Sequence, residues 1–233
     1  MPLIWCSSAG HGYGHAAQVV PVLNALARLV PHLQALLRTS VPASFFEPRL
    51  TIPWKLSPAQ QDIGCIQKGP LTIDVAGTWS AHRTLHADWD KKIETEATLI
   101  RQAAPTLVLS DVSHLGIAAG AAAGIPTIGL CSLSWDLVLA PFVDPADPAH
   151  AAIMKQIRDA YAKADCFLRV APGLAVTAFR HLRDVGPIAE PTEPQPAALR
   201  QAIGATASEK IILVGFGGIA LQSPPFDHME AMQ

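Results

Sequence analysis

Two histidines and three glycines stand together in AGHGYGH, residues 9–15, just after a short apolar run at the start of the chain. Gly10, Gly12 and Gly14 alternate with larger residues, and His11 and His15 complete the pattern. Glycine tolerates positive φ and close backbone approach, so such a loop can bring a ligand against free main-chain N–H groups. Imidazole adds a group whose proton affinity lies near neutrality. His15 directly precedes AAQVVPVLNAL and therefore sits where a helix begins. The positive helix end is expected to depress its pKa and favour the neutral ring. A neutral ring can take a proton from an attacking hydroxyl. From the residues alone, base, cap of the loop or helix, and metal ligand all stay open for His15, and His11 reads as a ligand contact.

A base of this kind needs an acid to orient it. Asp111 ends the apolar run TLVLSD, residues 106–111. Beside His15 it would hold the ring through one nitrogen and stabilise the charge formed on protonation. It can equally cap the helix that follows. A third stretch, SLSWDL at 132–137, offers Ser134 and Asp136 for polar ligand groups and Trp135 for stacking on a sugar or walling the pocket. The plainer alternative is a core tryptophan with Asp136 as a helix cap. His82, His86 and Asp88 fit a solvated helix face better than a metal site, and no metal is expected.

Competing motifs fail on spacing. A dinucleotide fingerprint needs glycine where His15 stands, and no Lys-Ser/Thr follows the loop as a P-loop requires. Ser110 and Ser132 lack a nucleophile-elbow context.

The elements that must position these groups alternate. LIWCS, 3–7, reads as a buried strand, and Ala16 to about Val30 as a helix whose apolar face is Val19, Val22, Leu23, Leu26 and Val30, with Pro21 early in it. LQALLRT at 33–39 is a second strand, and residues 40–78 read as short strands and loops. Trp79 to Ala103 reads as helical, 106–111 as a strand, 116–124 as a short helix, and TIGLCS after Pro126 as another strand. A helix over 149–164 and strands at 166–170 and 183–188 complete the pattern. Alternation of this kind predicts an α/β fold, a Rossmann-like parallel sheet with helices on both faces. It puts the ends of the first strand and of TLVLSD on one sheet edge, where open α/β sheets bind ligands.

Proline-rich 190–198 marks a linker, and IILVGFGG at 211–218 reads as the opening of a second α/β domain. The expected organisation is 1–188 as the first domain, 189–209 as linker and connecting helix, and 210–233 as the start of the second. An exposed strand there suggests a homodimer or a missing C-terminal half as partner.

The chain has 233 residues, 50% of them hydrophobic and 15% charged, with net charge -2. That suffices for a sizeable core. There is no basic cluster, so nucleic acid is not expected as a partner. No apolar run is long enough to span a bilayer, so no stable membrane insertion is expected. The four widely spaced cysteines form no C-x-x-C, which points to a cytoplasmic location.

GHGYGHAAQVVPVLNAL, Ser110–Asp111 and CSLSWDLVLAPF at 131–142 together resemble the N-terminal domain of GT-B glycosyltransferases. The resemblance is closest to the glycosyltransferase-like domain of plant arabinokinases and related bacterial proteins. It implies a glycosyltransferase without a bound cofactor, using a nucleotide-sugar, UDP-linked, as donor and a small sugar or other hydroxyl compound as acceptor. His15 would then be the base and Asp111 its support. Gly215, Gly217 and Gly218 would face the donor phosphate from the second domain, most of which has no counterpart in this chain. A non-catalytic sugar- or nucleotide-binding module, and a sugar-nucleotide epimerase or hydrolase of the same fold, remain open as alternatives.

Overall fold

The computed structural model describes residues 1–69, 71–189 and 193–213. A seven-stranded sheet, parallel throughout, forms its centre. Its strands are β1 (Leu3–Ser8), β2 (Gln34–Thr39), β3 (Trp54–Pro58), β6 (Leu107–Asp111), β7 (Thr127–Cys131), β8 (Cys166–Val170) and β9 (Leu182–Val185). A small antiparallel pair, β4 (Gln67–Gly69) and β5 (Thr72–Ile73), lies apart from it. The order across the sheet is β3-β2-β1-β6-β7-β8-β9. The chain moves outward one way from β1 and then returns to build the other side from β6. The strand order therefore reverses between β1 and β6, the position at which open α/β sheets bind ligands. The pairing Ser8↔Asp111 sets the end of β6 level with the end of β1.

The expected parallel α/β architecture is present. Central strands β1 and β6 are almost wholly buried, as their unbroken apolar runs require when helices cover both faces. Helix α1 (Gly14–Leu29) packs Ala16, Val19, Val20 and Leu23 into the core. It runs through Pro21 and ends at Val30, just before Pro31.

Residues 40–78 contain, besides β3 to β5, the short helix α2 (Ala43–Phe46) and the start of α3 (Val75–His86). The helical region expected from Trp79 to Ala103 is two helices, α3 and α4 (Trp89–Ala103). The break falls where Ala87 is extended and Asp88 takes a left-handed φ of 52°. Asp tolerates that conformation better than most residues.

Helix α5 (His114–Ala123) begins two residues earlier than its small-residue run suggests, because the Ser113 hydroxyl accepts the Gly116 N–H at 3.1 Å and caps it. Gly124 ends it in the left-handed region. Short α6 (Trp135–Leu139) follows β7, and α7 (Pro148–Tyr161) covers the sheet beyond it. Helix α8 (Pro196–Ile203) follows the proline-rich segment. Residues 211–213, expected to open a strand, are irregular and exposed. Gly215, Gly217 and Gly218 lie outside the described residues. No described helix is long and apolar enough to cross a membrane.

Candidate active site at the glycine–histidine loop

The three glycines of the loop do different work. A Cβ on Gly10 would stand 1.7 Å from the Ser40 hydroxyl oxygen, so glycine there lets the loop close on the end of β2. Gly12 alone of the three has positive φ, at 94°. Gly14 opens α1 with free space around it. Of the two properties that glycine offers, Gly12 uses the conformation and Gly10 the space.

His15, in the first turn of α1, points its Nδ1 at Asp111 Oδ1 across 3.2 Å. Asp111 is fully buried, and its second oxygen, Oδ2, has no hydrogen-bond partner among the described residues. The His15 side chain keeps 12% exposure. Cys131 at the end of β7 places its Sγ 4.0 Å from the same Nδ1. Asp111 is not the cap of α5, since Ser113 fills that place. The acid is left for the histidine.

The turn between them is under tension. Val112 has φ of 56°, a genuine outlier for a β-branched residue. It is held by the buried Tyr161 hydroxyl, which donates to the Val112 carbonyl at 2.9 Å. The same hydroxyl accepts the Trp135 N–H at 3.2 Å. One tyrosine on α7 therefore ties the turn after β6 to the turn after β7.

The ring of His15 does not have the depressed proton affinity expected from the helix end. Burial is the largest single influence and opposes the charge, but the hydrogen bonds to Asp111 and Cys131 and the fields of both groups together outweigh it and push the pKa up to about 11. Burial in turn pushes the Asp111 carboxyl up, against the pull of His15. The two shifts describe one coupled pair. We assign the proton to the imidazole, because an unpartnered buried carboxylate demands a positive neighbour.

A second histidine–carboxylate pair lies alongside. His11 Nδ1 stands 3.4 Å from Asp62 Oδ1, and Asp62 Oδ2 accepts the Trp135 Nε1–H at 2.9 Å. The His11 side chain is 29% exposed and the Asp62 side chain fully buried. The rings of His11 and His15 are 5.2 Å apart, and Trp135 lies edge-on to His11 at 5.0 Å. Asp62 belongs to an aperiodic loop after β3, and sequence reasoning missed it. Gly64 in that loop has φ of 64°, and a Cβ there would fall 2.6 Å from His11 Cε1 and Nε2.

The remaining sequence candidates sit deeper. Trp135 is 4% exposed and walls the site from within. Ser134 is fully buried, with its hydroxyl unpartnered among the described residues. Asp136 is buried in the first turn of α6, with Arg158 Nε 3.7 Å away. His82 and His86 are not on a solvated face. His82 bonds to the Gly64 carbonyl oxygen at 2.9 Å, and His86 stacks between Trp89 and His114.

The fold is that of the N-terminal domain of GT-B glycosyltransferases. Arabidopsis thaliana UGT89C1 in complex with UDP-L-rhamnose superposes with a TM-score of 0.54 at 12% identity, covering 89% of this chain and 57% of that one. Phytolacca americana UGT2, solved with UDP-2fluoro-glucose and pterostilbene, gives 0.50 at 14% identity over 83% of this chain and 56% of its own. In sequence, the chain is 26% identical over 211 residues to L-arabinokinase of Arabidopsis thaliana, spanning 90% of this chain and 20% of that protein. The chain thus spans little more than half of these structures and a fifth of the curated relative. No protein-family model matches it.

Proposed function

We propose that this chain is the acceptor-side half of a glycosyltransferase that moves a sugar from a UDP-linked donor to a hydroxyl group. Residues 1–188 would form the acceptor domain, with the donor held mainly by a second domain that begins near residue 210. The observation that carries this reading is the 3.2 Å pairing of His15 with Asp111 at the strand-order reversal of the sheet. Nδ1 faces the carboxylate, so Nε2 is the nitrogen left for an acceptor hydroxyl.

In this reaction Nε2 takes the hydroxyl proton as the oxygen attacks the anomeric carbon, and the bond to the nucleoside diphosphate breaks. Asp111 stabilises the imidazolium that results. Free N–H groups at the start of α1 stabilise the leaving diphosphate. For the ring to begin neutral, its proton affinity must fall when the site fills. An acceptor that excludes water from Nε2 deepens the desolvation that already opposes the charge, which moves the ring that way. His11, more exposed and backed by Asp62, contacts the sugar or acceptor.

The raised His15 pKa favours a second reading, a binding module in which a permanently protonated His15 donates to an anionic ligand. Replacing His15 by Ala in the full-length protein separates the two. Loss of transfer with donor affinity retained supports the base. Loss of affinity alone supports the module, and unchanged transfer rejects the first reading.

A further inference from the structure

We propose that His15, Asp111 and Cys131 form a binding site for one divalent transition-metal ion of the zinc class. The three residues come from the start of α1 and the ends of β6 and β7. They present one nitrogen, one oxygen and one sulfur donor, and these atoms all lie within 4.8 Å of one another. Nδ1 of His15 is 3.2 Å from Asp111 Oδ1 and 4.0 Å from Cys131 Sγ. Zinc bonds of about 2.0–2.3 Å in a tetrahedron put ligand atoms about 3.4–3.6 Å apart. The two distances from Nδ1, 3.2 Å and 4.0 Å, each lie within roughly half an ångström of that geometry.

The second, independent observation is Asp111 Oδ2. It is a carboxylate oxygen on a fully buried residue with no hydrogen-bond partner among the described residues. Buried polar atoms are nearly always paired. A cation bound against this carboxylate would satisfy it without another protein donor. By contrast, His86 and His114 bring two nitrogens to 3.2 Å, with no third His, Cys, Asp or Glu joining them among the described residues.

Binding needs no oxidant. The Cys131 thiol and the ring nitrogen release their protons to solvent. The thiolate, Nδ1 and the carboxylate then donate electron pairs to the ion. Three protein ligands leave a fourth position for water. The ion would occupy the atoms that make the His15–Asp111 pair, so metal occupancy and proton transfer exclude each other.

The test is zinc titration of the 233-residue chain by calorimetry, with cobalt(II) absorption as the second readout. The expected result is one ion per chain and a thiolate-to-cobalt charge-transfer band. Cys131→Ser should abolish the band and weaken zinc by at least about tenfold, the lower end of what losing even an outer-sphere partner does. Cys65→Ser, outside the cluster, should leave both intact. Absence of saturable binding, or binding unchanged in Cys131→Ser, overturns the site. If Cys131→Ser does not fold by circular dichroism, the cobalt band in Cys65→Ser decides. Its presence supports the site and its absence overturns it. None of these readouts depends on sugar transfer.

Discussion

His11 and His15 stand 5.2 Å apart ring to ring, each against its own buried carboxylate, Asp62 and Asp111. The two pairs differ in exposure, and that difference assigns them different work. In the full-length protein, His15→Ala should lower kcat for sugar transfer by about 10²–10⁴-fold, the usual contribution of a positioned base. His11→Ala should raise KM more than it lowers kcat. Steady-state kinetics with a UDP-sugar panel checks both.

The His15 proton should persist well above neutrality. Nitrogen-15 NMR titration is expected to show the ring charged at pH 7 and titrating towards about 11, held there by Asp111 against burial. A raised folded-state pKa means that the stabilisation is fully present below the ordinary value of 6.5 and is lost as pH rises through about 11. Asp111→Asn removes the counter-charge but keeps the burial. The ring should then titrate below 6.5, and a value that does not move would disprove the pairing.

Acid should loosen the contact among α3, α5 and α7. Burial holds His86 down to about 4 and His114 well below its ordinary value, and the Gln156 amide oxygen accepts from His86 at 2.8 Å. These depressed values mean that the unfolded chain takes up protons first. Stability is therefore full above pH 6.5 and falls as pH drops towards 4. Urea midpoints measured across that window should fall less steeply in His86→Gln.

Gly64→Ala should damage the His11 side of the site. The new methyl would meet His11 at 2.6 Å and Trp135 at 2.9 Å, on a backbone with φ of 64°. Backbone strain alone costs about 1–3 kcal/mol. Thermal melts should show that loss, and ligand affinity should fall with it.

Tyr161→Phe removes a hydroxyl that serves both site turns and leaves the Val112 carbonyl and Trp135 N–H without it. Each buried group stranded in this way costs about 1–3 kcal/mol. Denaturant unfolding should register the loss, and kcat should fall although Tyr161 touches no reacting atom.

The His15–Asp111 pair was legible because Asp111 ends one apolar run and His15 opens the helix that follows another, and a parallel sheet sets the ends of those two runs side by side. The strands β1 and β6 were legible because continuous burial leaves an unbroken apolar signature. Asp62 and Gly64 were not, since their loop has no periodicity and the His11 and Trp135 side chains they meet lie about 50 to 70 residues away in the chain, beyond any local pattern. The break between α3 and α4 was missed because Asp88 carries no glycine or proline to announce it. The His15 proton affinity was misread for a reason of magnitude. A helix end offers about half a charge spread over a turn, whereas Asp111 is a whole carboxylate at 3.2 Å.

Val112 bears on any attempt to make this protein hardier. Its left-handed backbone is one that glycine adopts freely, yet its side chain is fully buried in the cluster that holds Trp135 and Tyr161, so Val112→Gly would ease the turn and hollow the core at once. The same exchange would slacken the turn on which Asp111 is mounted. At this position an easier backbone serves neither sturdiness nor aim.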